Sequence, residues 1–111
     1  MTTAERLYTL VDGARLNAEH PATFEIPSEA EKDALGEGDM CKVGIEFKPM
    51  GQIAGERFWV RITDRDGDNF LGDVLDALLE TRIHGLDYGD EIAFGRQHVI
   101  GTYDKQSEVS A

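Results

Sequence analysis

With 111 residues, 41% of them apolar and 30% charged, the chain fits one globular domain with a modest core and excludes disorder along its whole length. Its 22 Asp and Glu against 11 Lys and Arg leave a net charge of -11, which disfavours nucleic acid, whose affinity rests on cations displacing counterions from phosphates, and favours the approach of a basic protein as well as plain solubility. A lone Cys41 excludes an internal disulfide and suits a reducing cytoplasm, and no apolar run approaches the about 20 residues of a membrane span or the core of a signal peptide.

In chain order, Leu7, Leu10, Val11 and Ala14 follow the spacing of one helical stripe, which predicts an N-terminal helix over about 3–14 that Gly13 ends or interrupts. Asn17 to Pro27 carries two prolines and the alternation of Phe24 and Ile26, and reads as extended. Ser28-Glu29-Ala30-Glu31 is a capping box, opening a short helix that Leu35 and Gly36 close. Val43, Ile45 and Phe47 then alternate with polar or small residues as a half-buried strand, and 48–56 reads as a loop.

Phe58, Val60 and Ile62 alternate with Trp59, Arg61 and Thr63, and Asp66-Gly67 follows as a two-residue turn, so 58–75 is a β-hairpin with its tip at Asp66-Gly67. That register puts Phe58, Val60, Ile62, Leu71 and Leu75 on the core face. It also puts Asp73 there, a mismatch that calls for either a bulge near Gly72 or a strand rim at that point. Residues 74–86 fit either a helical turn around Leu78 and Leu79 or a running-on strand. Glu91 to Tyr103 alternates again, and 105–111 is a polar, frayed tail. Leu35-x-x-Gly38-Asp39 and Leu86-x-x-Gly89-Asp90 each precede a strand, a repeated turn in which Leu plugs the core, Gly takes an unusual backbone angle and Asp bonds nearby amides. The fold class is α+β: a small, twisted, largely antiparallel sheet or partly closed β-barrel with one or two short helices, in one domain over 1–104 (β part about 20–104).

No catalytic motif is present. Asp64, Asp66 and Asp68 alternate like a calcium loop, but the sixth and twelfth positions are Asn69 and Leu75 instead of Gly and a carboxylate. His20, His84 and His98 lack metal-ligand spacing, and Cys41 reads as a small buried hydrophobe. The expectation is therefore a non-enzyme without metal or cofactor. The candidate binding residues are Arg57, Trp59 and Arg61, an indole between two guanidiniums on one strand face, and Tyr88 as a further one. Trp59 has a second, structural reading, as the cover of a bare Gly72 beneath the N-terminal helix.

The run Glu56-Arg57-Phe58-Trp59-Val60-x-Ile62, with Gly67-Asp68, Gly72, Leu86-x-x-Gly89-Asp90-Glu91-Ile92-x-Phe94 and His98-Val99-Ile100, resembles a bacterial family of uncharacterised domains. Phe24-x-Ile26-Pro27 and Gly38-Asp39 extend the resemblance, which covers about 20–102. Some members of that family are assigned as immunity proteins of polymorphic toxin systems. The resemblance implies a compact β domain and carries over no catalytic residue. The leading function is protein binding, in the form of immunity-like neutralisation of a basic partner. The alternatives are a nucleic-acid or nucleotide module built on Arg57, Trp59 and Arg61, and an enzyme of another type.

Overall fold

The computed structural model describes residues 8–22, 26–48 and 51–103. Among these residues, six strands and three short helices run in the order β1 (Thr9–Leu10), α1 (Gly13–Glu19), α2 (Glu29–Asp33), β2 (Met40–Phe47), β3 (Ala54–Asp66), β4 (Asn69–Val74), α3 (Thr81–His84), β5 (Glu91–Gly95) and β6 (Gly101–Thr102). All pairs are antiparallel, in the spatial order β1-β2-β3-β4-β5. A 3-10 turn over Arg96–His98 leads from β5 into β6, which returns to β2 on the side β1 also uses. The result is a curled half-barrel, an α+β fold. No helix among the described residues is long and apolar enough to cross a membrane.

Strand alternation builds the core. Cys41, Val43, Ile45 and Phe47 of β2 face inward with Phe58, Val60 and Ile62 of β3, Phe70 and Val74 of β4, and Ile92 and Phe94 of β5. Leu35, Leu86 and Val99 are buried in the same cluster. Burial at about 25 cal/mol per Å² of apolar surface makes this cluster the main stabilising term.

The hairpin differs from expectation by one residue. Asp66 pairs with Asn69, so the tip is Gly67-Asp68, with Gly67 at φ 62°. β4 consequently buries Phe70, Gly72 and Val74 and turns Leu71 and Asp73 outward. A one-residue slip exchanges the two faces of a strand, and the alternative would have put the Asp73 carboxylate in the core. The expected bulge is present, on the partner strand: Ile62 pairs with Gly72 and Asp64 with Leu71, leaving Thr63 as the extra residue.

The N-terminal helix is also shifted. Residues 3–7 lie outside the described residues, Thr9 and Leu10 are in β1, and Gly13 begins α1 rather than ending a helix. The Asp12 side chain caps it by accepting from the Arg15 amide at 3.0 Å. Leu10 pairs with Ile45 and joins the core, so sheet pairing overrides the helical spacing of the apolar residues. Asn17 to Glu19 are helical rather than extended, and Phe24 lies outside the described residues. β3 begins at Ala54, within the expected loop. The ambiguous segment ends β4 at Val74 and forms α3, which Gly85 closes at φ 85°.

The repeated Leu-x-x-Gly-Asp turns are structural twins. Asp39 Oδ2 accepts from the Gly36 amide and Asp90 Oδ2 from the Asp87 amide, both at 2.9 Å. The Gly38 amide donates to Ile62 O and the Asp39 carbonyl accepts from Ile62 N. Gly89 and Asp90 make the same reciprocal pair with Val74. Each turn thus locks the start of one strand, β2 or β5, to its neighbour. Gly38 has φ 92° and Gly89 φ 86°, a region strained for β-branched residues. Gly38→Val and Gly89→Val are each expected to cost about 1–2 kcal/mol in urea unfolding. Two unaltered midpoints would show that these angles are not required.

Candidate binding surface

Arg57, Trp59 and Arg61 share the outward face of β3, opposite Gly44, Lys42 and Met40 of β2. Both arginines are exposed and Trp59 is half-buried. The indole meets Tyr103 edge-on, with centroids 6.2 Å apart, and Lys42 Nζ lies 5.4 Å from its centre. Its backbone amide donates to Asp76 Oδ2 at 2.8 Å. Trp59 does not cover Gly72. That glycine faces the core, where an added Cβ would lie 2.3 Å from Val60 Cγ1. The cover over Trp59 comes from Tyr103 and Lys42, and the N-terminal segment instead places Val11 over Gly44. Tyr88 is 66% exposed in the turn before β5, and none of the indole's ring contacts is with it. The structure thus brings the three β3 residues together with Lys42, while Tyr88 belongs to the exposed turn before β5.

Among the described residues, Cys41, His84, Glu56 and His98 have structural surroundings. Cys41 is fully buried, and burial, with Asp39 nearby, pushes its thiol up to about 12. His84 is buried with its ring edge-on to Phe47 (4.9 Å) and Tyr8 (6.5 Å). The Leu86 amide donates to His84 Nδ1 at 3.1 Å, so Nδ1 carries no proton and Nε2–H donates to Glu56 Oε2 at 2.7 Å. A carboxylate–imidazole pair is familiar from catalytic triads. Here, however, the second ring nitrogen is occupied by a main-chain amide and has no lone pair left for a substrate proton. Glu56 also accepts from the amides of Leu79 (2.7 Å) and Glu80 (2.9 Å). Burial opposes its charge, but these hydrogen bonds outweigh burial and hold the carboxyl below its ordinary value. The pair braces the 76–86 loop against β3. Nothing in the residue spacing announces it, since Glu56 and His84 stand in different elements. His98 Nδ1 accepts from the Gly95 amide at 2.8 Å. Among the described residues no group of His, Cys, Asp and Glu has metal-holding geometry.

The acidic residues converge. The bulge at Thr63 turns Arg65 toward Phe70, 4.7 Å away. There Arg65 Nη1 donates to the carbonyls of Lys32 (3.2 Å), Asp33 (3.0 Å) and Leu35 (2.6 Å), closing the C-terminal end of α2. Arg96 pairs with Glu29 at 2.7 Å, with Asp33, and with Asp68 at 3.8 Å. Its hydrogen bond holds both Glu29 and Asp33 below the ordinary carboxylate range, and the same bonds, Asp33 first, raise Arg96 itself. The two arginines join α2 to the hairpin tip. Arg96 therefore gathers Glu29 and Asp33 of α2 and Asp68 of the hairpin tip into one exposed acidic ridge, and the exposed Glu31, Glu37, Asp64 and Asp66 neighbour it along the same two segments of chain. Lys32, also on α2, is only 1% exposed and lies 3.5 Å from Glu29. The sequence marks two acidic segments but not the arginines that merge them.

Set against known proteins, the chain matches no protein-family model, no curated protein and no solved structure.

Proposed function

We propose that this chain is a cytoplasmic, non-enzymatic protein-binding domain that takes a basic protein partner, as an immunity protein would in neutralising a cationic toxin. The observation that supports the reading is the single acidic ridge of α2 and the hairpin tip, whose nearby cations turn inward to carbonyls and carboxylates rather than out to solvent. Such a surface raises the association rate, while a few central contacts hold the complex. The burial of Cys41 and His84 agrees with a domain that binds without turnover.

The test is capture of a partner from the native cell, followed by association kinetics at low and high salt. The expected partner is a basic protein whose on-rate falls with salt. Glu37→Gln with Asp66→Asn, which spares the Arg96 pairs, should slow association about two- to fivefold and leave dissociation nearly unchanged. An on-rate indifferent to salt and to both substitutions would refute the reading.

The nucleic-acid reading has its own support in Lys42, Arg57 and Arg61 around the indole. Recovery of RNA or single-stranded DNA, lost in Arg57→Ala and Arg61→Ala, would decide for it. Turnover of a small molecule without any bound macromolecule would decide for an enzyme.

A further inference from the structure

β5 is the last strand in the sheet order and pairs only with β4 among the described residues. Among the described residues, then, no strand pairs with the other side of its backbone. The hydrogen bonds on the β4 side show which groups point there. The Val74 amide donates to Asp90 O and the Arg96 amide to Asp68 O, each at 2.9 Å, so Asp90 and Arg96 face β4. Antiparallel alternation then turns Ile92 and Phe94 toward β4, and Glu91, Ala93 and Gly95 away from it. Gly95 agrees with this parity, because its amide donates instead to the side chain of His98. The N–H and C=O groups of Glu91 and Ala93 face outward.

Beside this edge lies a groove of about 530 Å³ that runs from Asp64 and Asp66 at the hairpin, past Leu71 and Phe94, to Leu10 of β1. Leu10 belongs to the opposite end of the sheet order, so the groove is the seam the half-barrel leaves open. Leu10, Leu71 and Phe94 are its apolar lining, Asp64 and Asp66 line it with carboxylates at the hairpin, and the exposed Glu91 continues the charge along the strand. The local cation, Arg65, is spent on the α2 carbonyls, and His98 Nδ1 on the Gly95 amide.

We propose that the open β5 edge takes an extended basic segment of a partner protein as an added strand. Main-chain hydrogen bonds to Glu91 and Ala93 would hold it, alternate apolar side chains would enter the seam, and alternate cations would meet the carboxylates. The proposal rests on the protein-binding reading above and names the surface that does the binding.

The probe is a synthetic peptide of alternating Lys and Val with blocked ends, titrated into the isotope-labelled full chain and followed by its amide resonances. Two control peptides have the same length: alternating Glu and Val, and Lys-Val with alternate backbone nitrogens methylated. The Lys-Val peptide should shift the amides of Glu91, Ala93 and Leu10, and both controls should bind about tenfold or more weakly. Ala93→Pro removes an outward N–H without breaking the ladder to β4, a position that tolerates proline on an edge strand. It should leave the melting temperature unchanged and weaken the peptide by about tenfold. Equal binding by the methylated peptide, or shifts confined to the Trp59 face, would overturn the proposal. A concentration-dependent dimer abolished by Ala93→Pro would assign the edge to a second copy of the chain and overturn it as well. A basic partner protein whose affinity is untouched by Ala93→Pro would reject the seam while leaving the protein-binding reading intact. Peptide binding at the seam with no salt-sensitive protein partner would do the reverse.

Discussion

Glu56→Ala is expected to lower the unfolding free energy by about 3 kcal/mol, measured by urea denaturation at neutral pH. The carboxylate side chain is 9% exposed and the His84 side chain 0%. Truncation strands two main-chain amides, Leu79 and Glu80, together with the Nε2–H of a buried imidazole. Hydrogen bonds to a charged acceptor are worth about 1.5–3 kcal/mol each, and relaxation of the loop toward water recovers part of the loss. The effect should also depend on pH. The folded-state carboxyl titrates below its ordinary value of 4.5, so its contribution is fully present above that value and is lost as pH falls through the folded value. Glu56→Gln, which cannot titrate, should lose part of the neutral-pH stability and flatten the acid limb of the stability curve. Wild-type stability that stays level from pH 6 to pH 3 would exclude this carboxylate as a brace. The loop it holds ends at Leu86, whose amide the same imidazole anchors, so hydrogen exchange at Leu79, Glu80 and Leu86 should accelerate together in Glu56→Ala.

The second large effect is expected at Gly72. A methyl group there would lie 2.3 Å from Val60 Cγ1 and 2.7 Å from Arg61 O. The Val60 side chain has little room to move, because it is fully buried, and the carbonyl belongs to the β3 backbone. Gly72→Ala should therefore cost about 2–3 kcal/mol through overpacking at the bulge. Gly36→Ala is the matched control. No atom lies within 4 Å of the added Cβ and the backbone angle is not left-handed, so the change should be neutral or slightly stabilising. A silent Gly72→Ala would mean that β4 buries its other face, the one carrying Leu71 and Asp73.

That hairpin shows how far local pattern reaches. Alternation from Phe58 to Ile62 identified β3 and its buried face, because one face of an antiparallel strand must leave water. The pattern on β4 did not identify its buried face, because Phe70, Leu71, Val74 and Leu75 offer apolar residues to both. The choice fell to the β3 partner and to the Thr63 bulge, which absorbs one residue and places Phe70 and Val74 opposite the β3 core. The same bulge turned Arg65 toward α2, a long-range consequence of a single inserted residue.

The sequence by itself determined the α+β class, the capping box at Ser28 with both of its bonds, and the twin Leu-x-x-Gly-Asp turns. It also placed Arg57, Trp59 and Arg61 on one strand face. Each of these depends on residues within a few positions of one another, where backbone angle, cap chemistry and side-chain alternation act locally. The tertiary structure alone decided the start of α1, the cover over Trp59, the Glu56–His84 brace and the merging of two acidic segments by Arg96. Those features join residues dozens of positions apart. A long polar side chain can satisfy its charge with many partners, and curling of the sheet into an incomplete barrel decides which of them come within reach.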